Sequence, residues 1–279
     1  MSTKTILALL GSEHERDIAG ALATAQSIDA HLSLLLLGAA PMPPIGEIGS
    51  AAALSSIWLE TRDTEERELN SRVDAVEERL ARADIKGDVV GSFVEVGLIP
   101  DRIAHRGRCA DAVLVGSGMR EDPVLGATAL EAALFETGAP VLLAPAGMSP
   151  PLDAKSIVLA WNSSAESAAA MRAALNLLPA LKEVRVAMVD PKAIESDGGE
   201  EPGADVGAYL ARKGLSVSIE RLSAMGGTPE GALARYAGDV AAPMLVMGAY
   251  GHSRLRQRIF GGMTRSMLES PPLPLLLAR

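Results

Sequence analysis

Residues 242–262 read APMLVMGAYGHSRLRQRIFGG, an apolar run that opens into a stretch with four glycines, three arginines and no acidic residue. The run Met244–Gly248 predicts a strand covered on both faces. The glycines predict a backbone that approaches a ligand closely or turns through positive φ. Gly261 and Gly262 stand just before MTRSMLES, which predicts a helix near Thr264–Leu268. A helix N-terminus offers free N–H groups and partial positive charge, and so suits phosphate. Arg254, Arg256 and Arg258 add donors, although alternate positions cannot all face inward.

Four segments recur in the same order in the two halves of the chain. KTILALLGSE (4–13) matches KSIVLAWNSS (155–164), and HLSLLLLG (31–38) matches EVRVAMVD (183–190). ADAVLVGSG (110–118) matches APMLVMGAY (242–250), and APVLLAP (139–145) matches LPLLLAR (273–279). Such self-similarity predicts one unit duplicated. The domains expected are 1–146 and 155–279, joined by a proline-bearing linker over 147–154. The first copy is lengthened by an insertion over 39–57.

Within each copy, short apolar runs alternate with helical patterns. First-half strands are predicted at Thr5–Leu10, Leu32–Leu37, Val89–Val94, Ala112–Val115 and Val141–Ala144. Second-half strands are predicted at Ser156–Trp161, Val184–Val189, Ser216–Leu222, Met244–Gly248 and Pro274–Leu277. Helices are predicted over 13–28, over 59–85, and from Pro100. In the second half they fall near Ala165–Leu178, Ala204–Lys213 and Pro229–Ala237. Leu69, Val73, Val76 and Leu80 make one apolar stripe on the long 59–85 helix. The alternation predicts an α/β fold, each copy a five-stranded parallel sheet with helices on both faces.

Composition removes several function classes. The 279 residues carry a net charge of −9, the wrong sign for a general nucleic-acid or anionic-membrane binder. One cysteine, Cys109, excludes an internal disulfide framework and a cysteine-cluster metal site. The N-terminus lacks a signal-peptide pattern, and HLSLLLLGAAPMPP is far short of the ~20 residues a membrane span needs. The expected location is the cytoplasm. No GxxxxGK[ST] loop occurs, and the four histidines are scattered.

In open α/β sheets, ligands bind beyond the carboxyl ends of the strands where strand order reverses. In the second half those ends are WNSSAES (161–167), VDPKA (189–193) and the glycine stretch, which converge if strands one and four are neighbours. WNSSAES also reads as a helix N-cap with Glu166 and Ser167 in the first turn. Trp161 borders the expected pocket, and His252 reads as a loop polar residue. The first-half counterpart, residues 116–138, sets Glu121, Asp122, Glu131 and Glu136 against Arg120, which would repel phosphate. Its glycines read as ordinary turn residues, and Gly11 and Ser12 are the nearest counterparts of 162–164.

The second half resembles the universal stress protein family, whose signature is G-x2-G-x9-G followed by Ser or Thr. Gly248, Gly251 and Gly261 match that spacing; Gly262 stands where the family has Ser or Thr, and Thr264 lies two further on. Asn162, Ser163 and Ser164 are similar to the Asp-Gly-Ser that ends the family's first strand. The resemblance implies two tandem Rossmann-like domains of the adenine nucleotide alpha hydrolase type. It implies a site of Asn162, Ser163, Ser164, Val189, Asp190, Gly248, Gly251, His252, Gly261, Gly262, Met263 and Thr264. The ligand implied is ATP or a related nucleotide, with no metal beyond nucleotide-bound Mg²⁺ and no catalytic residues. Weak ATPase activity is left open, since no base or carboxylate cluster is placed beside the loop. The other reading is an interaction or protective module without nucleotide, in which the last strands of both domains pair as a built-in dimer. A homodimer of such chains is a further implication.

Overall fold

The computed structural model describes residues 4–43, 51–191, 201–249, 267–268 and 270–279. The chain divides into two compact units, Met1–Gly138 and Ala139–Arg279.

In the first unit, β1 (Thr5–Leu10), β2 (His31–Ala39), β3 (Gly87–Val94) and β4 (Ala112–Val115) form a parallel sheet in the order β3-β2-β1-β4. β1 is the hinge of this order: Thr5 pairs with His31 on one side, and Ile6 pairs with Ala112 on the other. Parallel neighbours need a crossover. These are supplied by α1 (His14–Gln26), α2 (Ala51–Arg82) and α3 (Ile99–Gly107). α4 (Ser117–Glu121) and α5 (Gly126–Phe135) follow β4. The central strands are mostly apolar and almost wholly buried, whereas edge strand β3 is half-exposed.

The second unit uses the same order. β6 (Ser156–Ala160), β7 (Glu183–Val189), β8 (Ser216–Leu222), β9 (Leu245–Gly248) and β10 (Leu275–Ala278) run parallel as β8-β7-β6-β9-β10. α6 (Ala165–Leu177), α7 (Ala204–Arg212) and α8 (Pro229–Asp239) lie between them in the chain. β5 (Val141–Leu143) also falls in this unit and pairs antiparallel with β10, Leu142 opposite Leu276.

Two expectations change. The five-and-five division of parallel strands becomes, among the described residues, four in the first unit and five plus an antiparallel strand in the second. β5 is too short and uniformly apolar for its pattern to reveal its partner or direction; the partner is the equally apolar β10. The long helix begins at Ala51 rather than 59, so the end of the expected 39–57 insertion is helical. Its stripe packs as predicted: Leu69, Val76 and Leu80 are buried and Val73 half-buried, against β2 and β3. The helices α4 and α5 had no sequence prediction.

Candidate functional site

In the second unit the reversal of strand order lies between β6 and β9, the neighbours that join Val158 to Leu245. The loop leaving β6 therefore emerges beside the one leaving β7 and next to the end of β9. Trp161 closes the strand by donating its N–H to Ala187 O at 2.9 Å. Asn162 Oδ1 accepts the Ser164 N–H at 3.2 Å, which bends the chain sharply. The bend places Ser163 at φ +60°, the left-handed region that favours glycine. A serine thus holds a left-handed position at the place aligned with the glycine of Asp-Gly-Ser. Ser164 is extended and caps α6, its Oγ accepting the Ser167 N–H at 3.1 Å. Ser167 Oγ donates back to Ser164 O at 2.9 Å.

At the end of β7, Asp190 also takes positive φ, +44°. Its N–H donates to Leu222 O at 2.9 Å, and its Oδ2 accepts the Ala224 N–H at 3.2 Å. The carboxylate is fixed by backbone on one side and presents its other oxygen elsewhere.

These loops enclose a cleft of about 510 Å³. Trp161, Asn162 and Ser163 form one wall, and Met188, Val189, Asp190 and Pro191 the floor. The opposite wall is Glu201–Val206, the turn into α7 with Gly203 at φ +89°. Glu201 is held by an ion pair with Arg221. The described lining joins a half-buried indole and apolar Met188 and Val206 to three carboxylates and an amide. It contains no lysine, arginine or histidine. The described lining thus offers hydrogen-bond acceptors beside an indole face. No group of three or more metal-ligating side chains occurs among the described residues.

Of the residues expected from sequence, Asn162, Ser163, Val189 and Asp190 meet in this cleft. Ser164 is spent on the helix cap. Gly248 packs on the first turn of α6, where an added Cβ would stand 2.7 Å from Glu166 C and Ser167 N. Gly251, His252, Gly261, Gly262, Met263 and Thr264 lie outside the described residues, as do Arg254, Arg256 and Arg258. The predicted 264–268 helix does too, except for Met267 and Leu268. Sequence reasoning missed the Glu201–Val206 wall. Its only signal was Pro202–Gly203 just ahead of a helical pattern.

The same place in the first unit is built differently. Gly116 ends β4 as Gly248 ends β9, and an added Cβ would stand 2.2 Å from Asp17 Cγ on α1. The reading of this glycine as an ordinary turn residue is therefore corrected: its φ is −70°, and close approach demands it. Asp17, only 6% exposed, accepts the N–H groups of Gly118 at 2.8 Å and Met119 at 2.7 Å. Burial pushes its carboxyl above the usual range, against the pull of those two hydrogen bonds. Asp122 Oδ1 accepts Val124 N–H at 3.0 Å and Leu125 N–H at 2.9 Å, and its Oδ2 accepts Ser12 Oγ–H at 2.8 Å. Burial alone would raise the Asp122 carboxyl; the hydrogen bonds from Leu125, Ser12 and Val124 outweigh it and hold it low.

Comparison with known proteins agrees with this architecture. Residues 153–279 match the model of the universal stress protein family. A universal stress protein of Synechocystis sp. is 36% identical over 90 residues, which is 32% of this chain and 28% of that protein. The match thus spans less than a third of the relative. A universal stress protein of Archaeoglobus fulgidus is similar in fold, with a TM-score of 0.64 at 14% identity over 98% of this chain and 96% of that one. A functionally unknown protein of Pseudomonas aeruginosa gives a TM-score of 0.53 at 16% identity, over 99% and 92% of the two chains.

Proposed function

We propose that this chain, whose residues 153–279 match the model of the universal stress protein family, is a cytoplasmic, non-enzymatic stress-response module that binds ATP or a related nucleotide in its second unit. The observation that carries the reading is the 510 Å³ cleft in which Trp161, Asn162, Ser163, Val189 and Asp190 meet at the carboxyl ends of β6 and β7. Its acceptor-rich described lining suits a nucleoside: an aromatic base against the indole, ribose hydroxyls on Asp190 or Asn162. Phosphates would be left to the arginines and glycines of the 248–262 sequence, with any Mg²⁺ arriving on the nucleotide.

The test is calorimetric titration of the full chain with ATP and Mg²⁺, after a denatured sample has been checked for carried-over nucleotide. Trp161→Ala and Asp190→Asn should each weaken binding about tenfold, the order expected for losing a stacking face or a charged hydrogen bond. A chain with neither bound nucleotide nor heat of binding would refute the reading.

One observation favours the second reading, an interaction module without nucleotide. The tight packing of Gly248 on α6 accounts for that glycine with no ligand involved. On that reading the duplicated units would act as a built-in dimer, and association of two chains would extend it.

A further inference from the structure

The second unit carries another recess, at the end opposite the candidate cleft. Residues at the ends of α6 and α7, and just ahead of β7 and β8, line a groove of about 440 Å³. That volume lies within the range of small-molecule sites, roughly 300–1,000 Å³. Its floor is leucine: Leu178 is buried, and Leu175, Leu181 and Leu215 are half-buried. Its rim carries Arg172 and Lys213, both exposed. Lys213 Nζ stands 5.7 Å from the centroid of the Tyr209 ring, which also lines the groove, so its charge is held over that wall.

Neither cation belongs to an ion pair among the described residues, and the described lining holds no carboxylate. The two helix C-termini bring about −0.5 charge each, so two whole cations leave a surplus of about +1. That surplus stands in a chain whose net charge is −9. It is matched by one monoanion, and the leucine floor by an apolar body. The fold does not require these residues. α1 and α6 are both 13 residues long, and in step they set Ala21, Thr24 and Ser27 against Arg172, Leu175 and Leu178. α2 and α7, aligned at their last residues, set Ala83 against Lys213. A protein partner would engage about 20–30 residues on each side, whereas nine line this groove. Recessed leucines do not reach into a bilayer.

We propose that this groove is a second ligand site, taking an amphipathic monocarboxylate: a short acyl chain along the leucines, with its carboxylate at Arg172 and Lys213. The site stands apart from the Trp161–Asp190 cleft and does not depend on a nucleotide there.

Octanoate is the probe and octan-1-ol its neutral match, each titrated into the full chain with leucine methyls observed by NMR. Octanoate should shift the methyls of Leu175, Leu178, Leu181 and Leu215 in one saturable step, and bind about tenfold more tightly than octan-1-ol. Arg172→Gln and Lys213→Gln should each weaken octanoate about threefold, and together bring it to the level of octan-1-ol, whose own affinity stays unchanged. Both positions are exposed, so the variants keep the fold. Equal affinity for the acid and the alcohol overturns the proposal, as does octanoate binding that neither variant weakens. Absence of saturable shifts at these methyls overturns it too. A peptide of alternating leucine and glutamate that moves the same methyls where octanoate does not would overturn it in favour of a protein partner.

Discussion

Gly248→Ala puts the packing of the second unit's candidate site to a direct test. The added methyl would stand 2.7 Å from Glu166 C and Ser167 N and 2.8 Å from Glu166 Cβ. Ordinary contact begins at 3.4 Å, so each neighbour must retreat by about 0.7 Å. Two of the three are backbone atoms in the first turn of α6, which cannot swing aside as a side-chain tip can. Gly248 is itself held in register opposite Ala278 on β10. Overpacking of this kind costs about 1–3 kcal/mol, and rigid neighbours on both sides put the value near 2 kcal/mol or above. For a unit of this size that is a fall of roughly 5 °C in Tm. Gly238→Ala is the control: it lies in α8 with nothing within 4 Å of the added Cβ. It should stabilise by up to about 1 kcal/mol, the helical preference of alanine over glycine. Thermal melts of the full chain, followed by far-UV circular dichroism, read both. Should Gly248→Ala melt at the wild-type temperature or above it, the close approach of β9 to α6 is not what fixes this glycine.

Three further outcomes follow from the same geometry. Ser163→Gly relieves a left-handed serine and should raise stability by up to about 1 kcal/mol, seen as a higher urea midpoint; a lower midpoint would mean that the hydroxyl matters more than the strain. Ser164→Ala removes the α6 cap and should cost about 0.5–2 kcal/mol, with faster amide exchange at Ser167 as the local readout. The third outcome concerns acid. Burial works to raise the Asp88 carboxyl, but His31 Nε2 at 3.0 Å, the paired Arg106 guanidinium and Ser33 Oγ at 3.2 Å prevail and hold it low. A depressed carboxylate stabilises fully above its unfolded value of about 3.9, and that stability is lost as pH falls through the folded value. Asp122 acts in the same direction, and Asp17, with its raised carboxyl, in the opposite one. Arg106→Met should therefore flatten the acid limb of a stability–pH profile below about pH 5 while leaving its shape near neutrality unchanged. An identical acid limb in the variant would count against the Asp88 cluster.

The sequence by itself determined the α/β class and the place of the strands and of every described helix except α4 and α5. Each rests on local periodicity: a strand buried on both faces must be mostly apolar, as Leu34–Leu37 is, and a one-faced helix must carry a stripe, as Leu69 to Leu80 does. That the loops after β6 and β7 meet was an expectation conditional on the first and fourth strands being neighbours, and the structure supplies that strand order. Asn162, Ser163, Val189 and Asp190 came from the family resemblance, and the structure brings them to one cleft. Tertiary structure alone decided the rest. It set β5 antiparallel against β10, made Glu201–Val206 a wall of the cleft, and gave Gly248 and Gly116 their packing roles. It brought Asp17 onto N–H groups 101 and 102 residues away. None of these leaves a local pattern: a short apolar strand fits many partners, and a buried carboxylate on a helix reads as a surface acid until the donors that hold it are placed beside it by the fold.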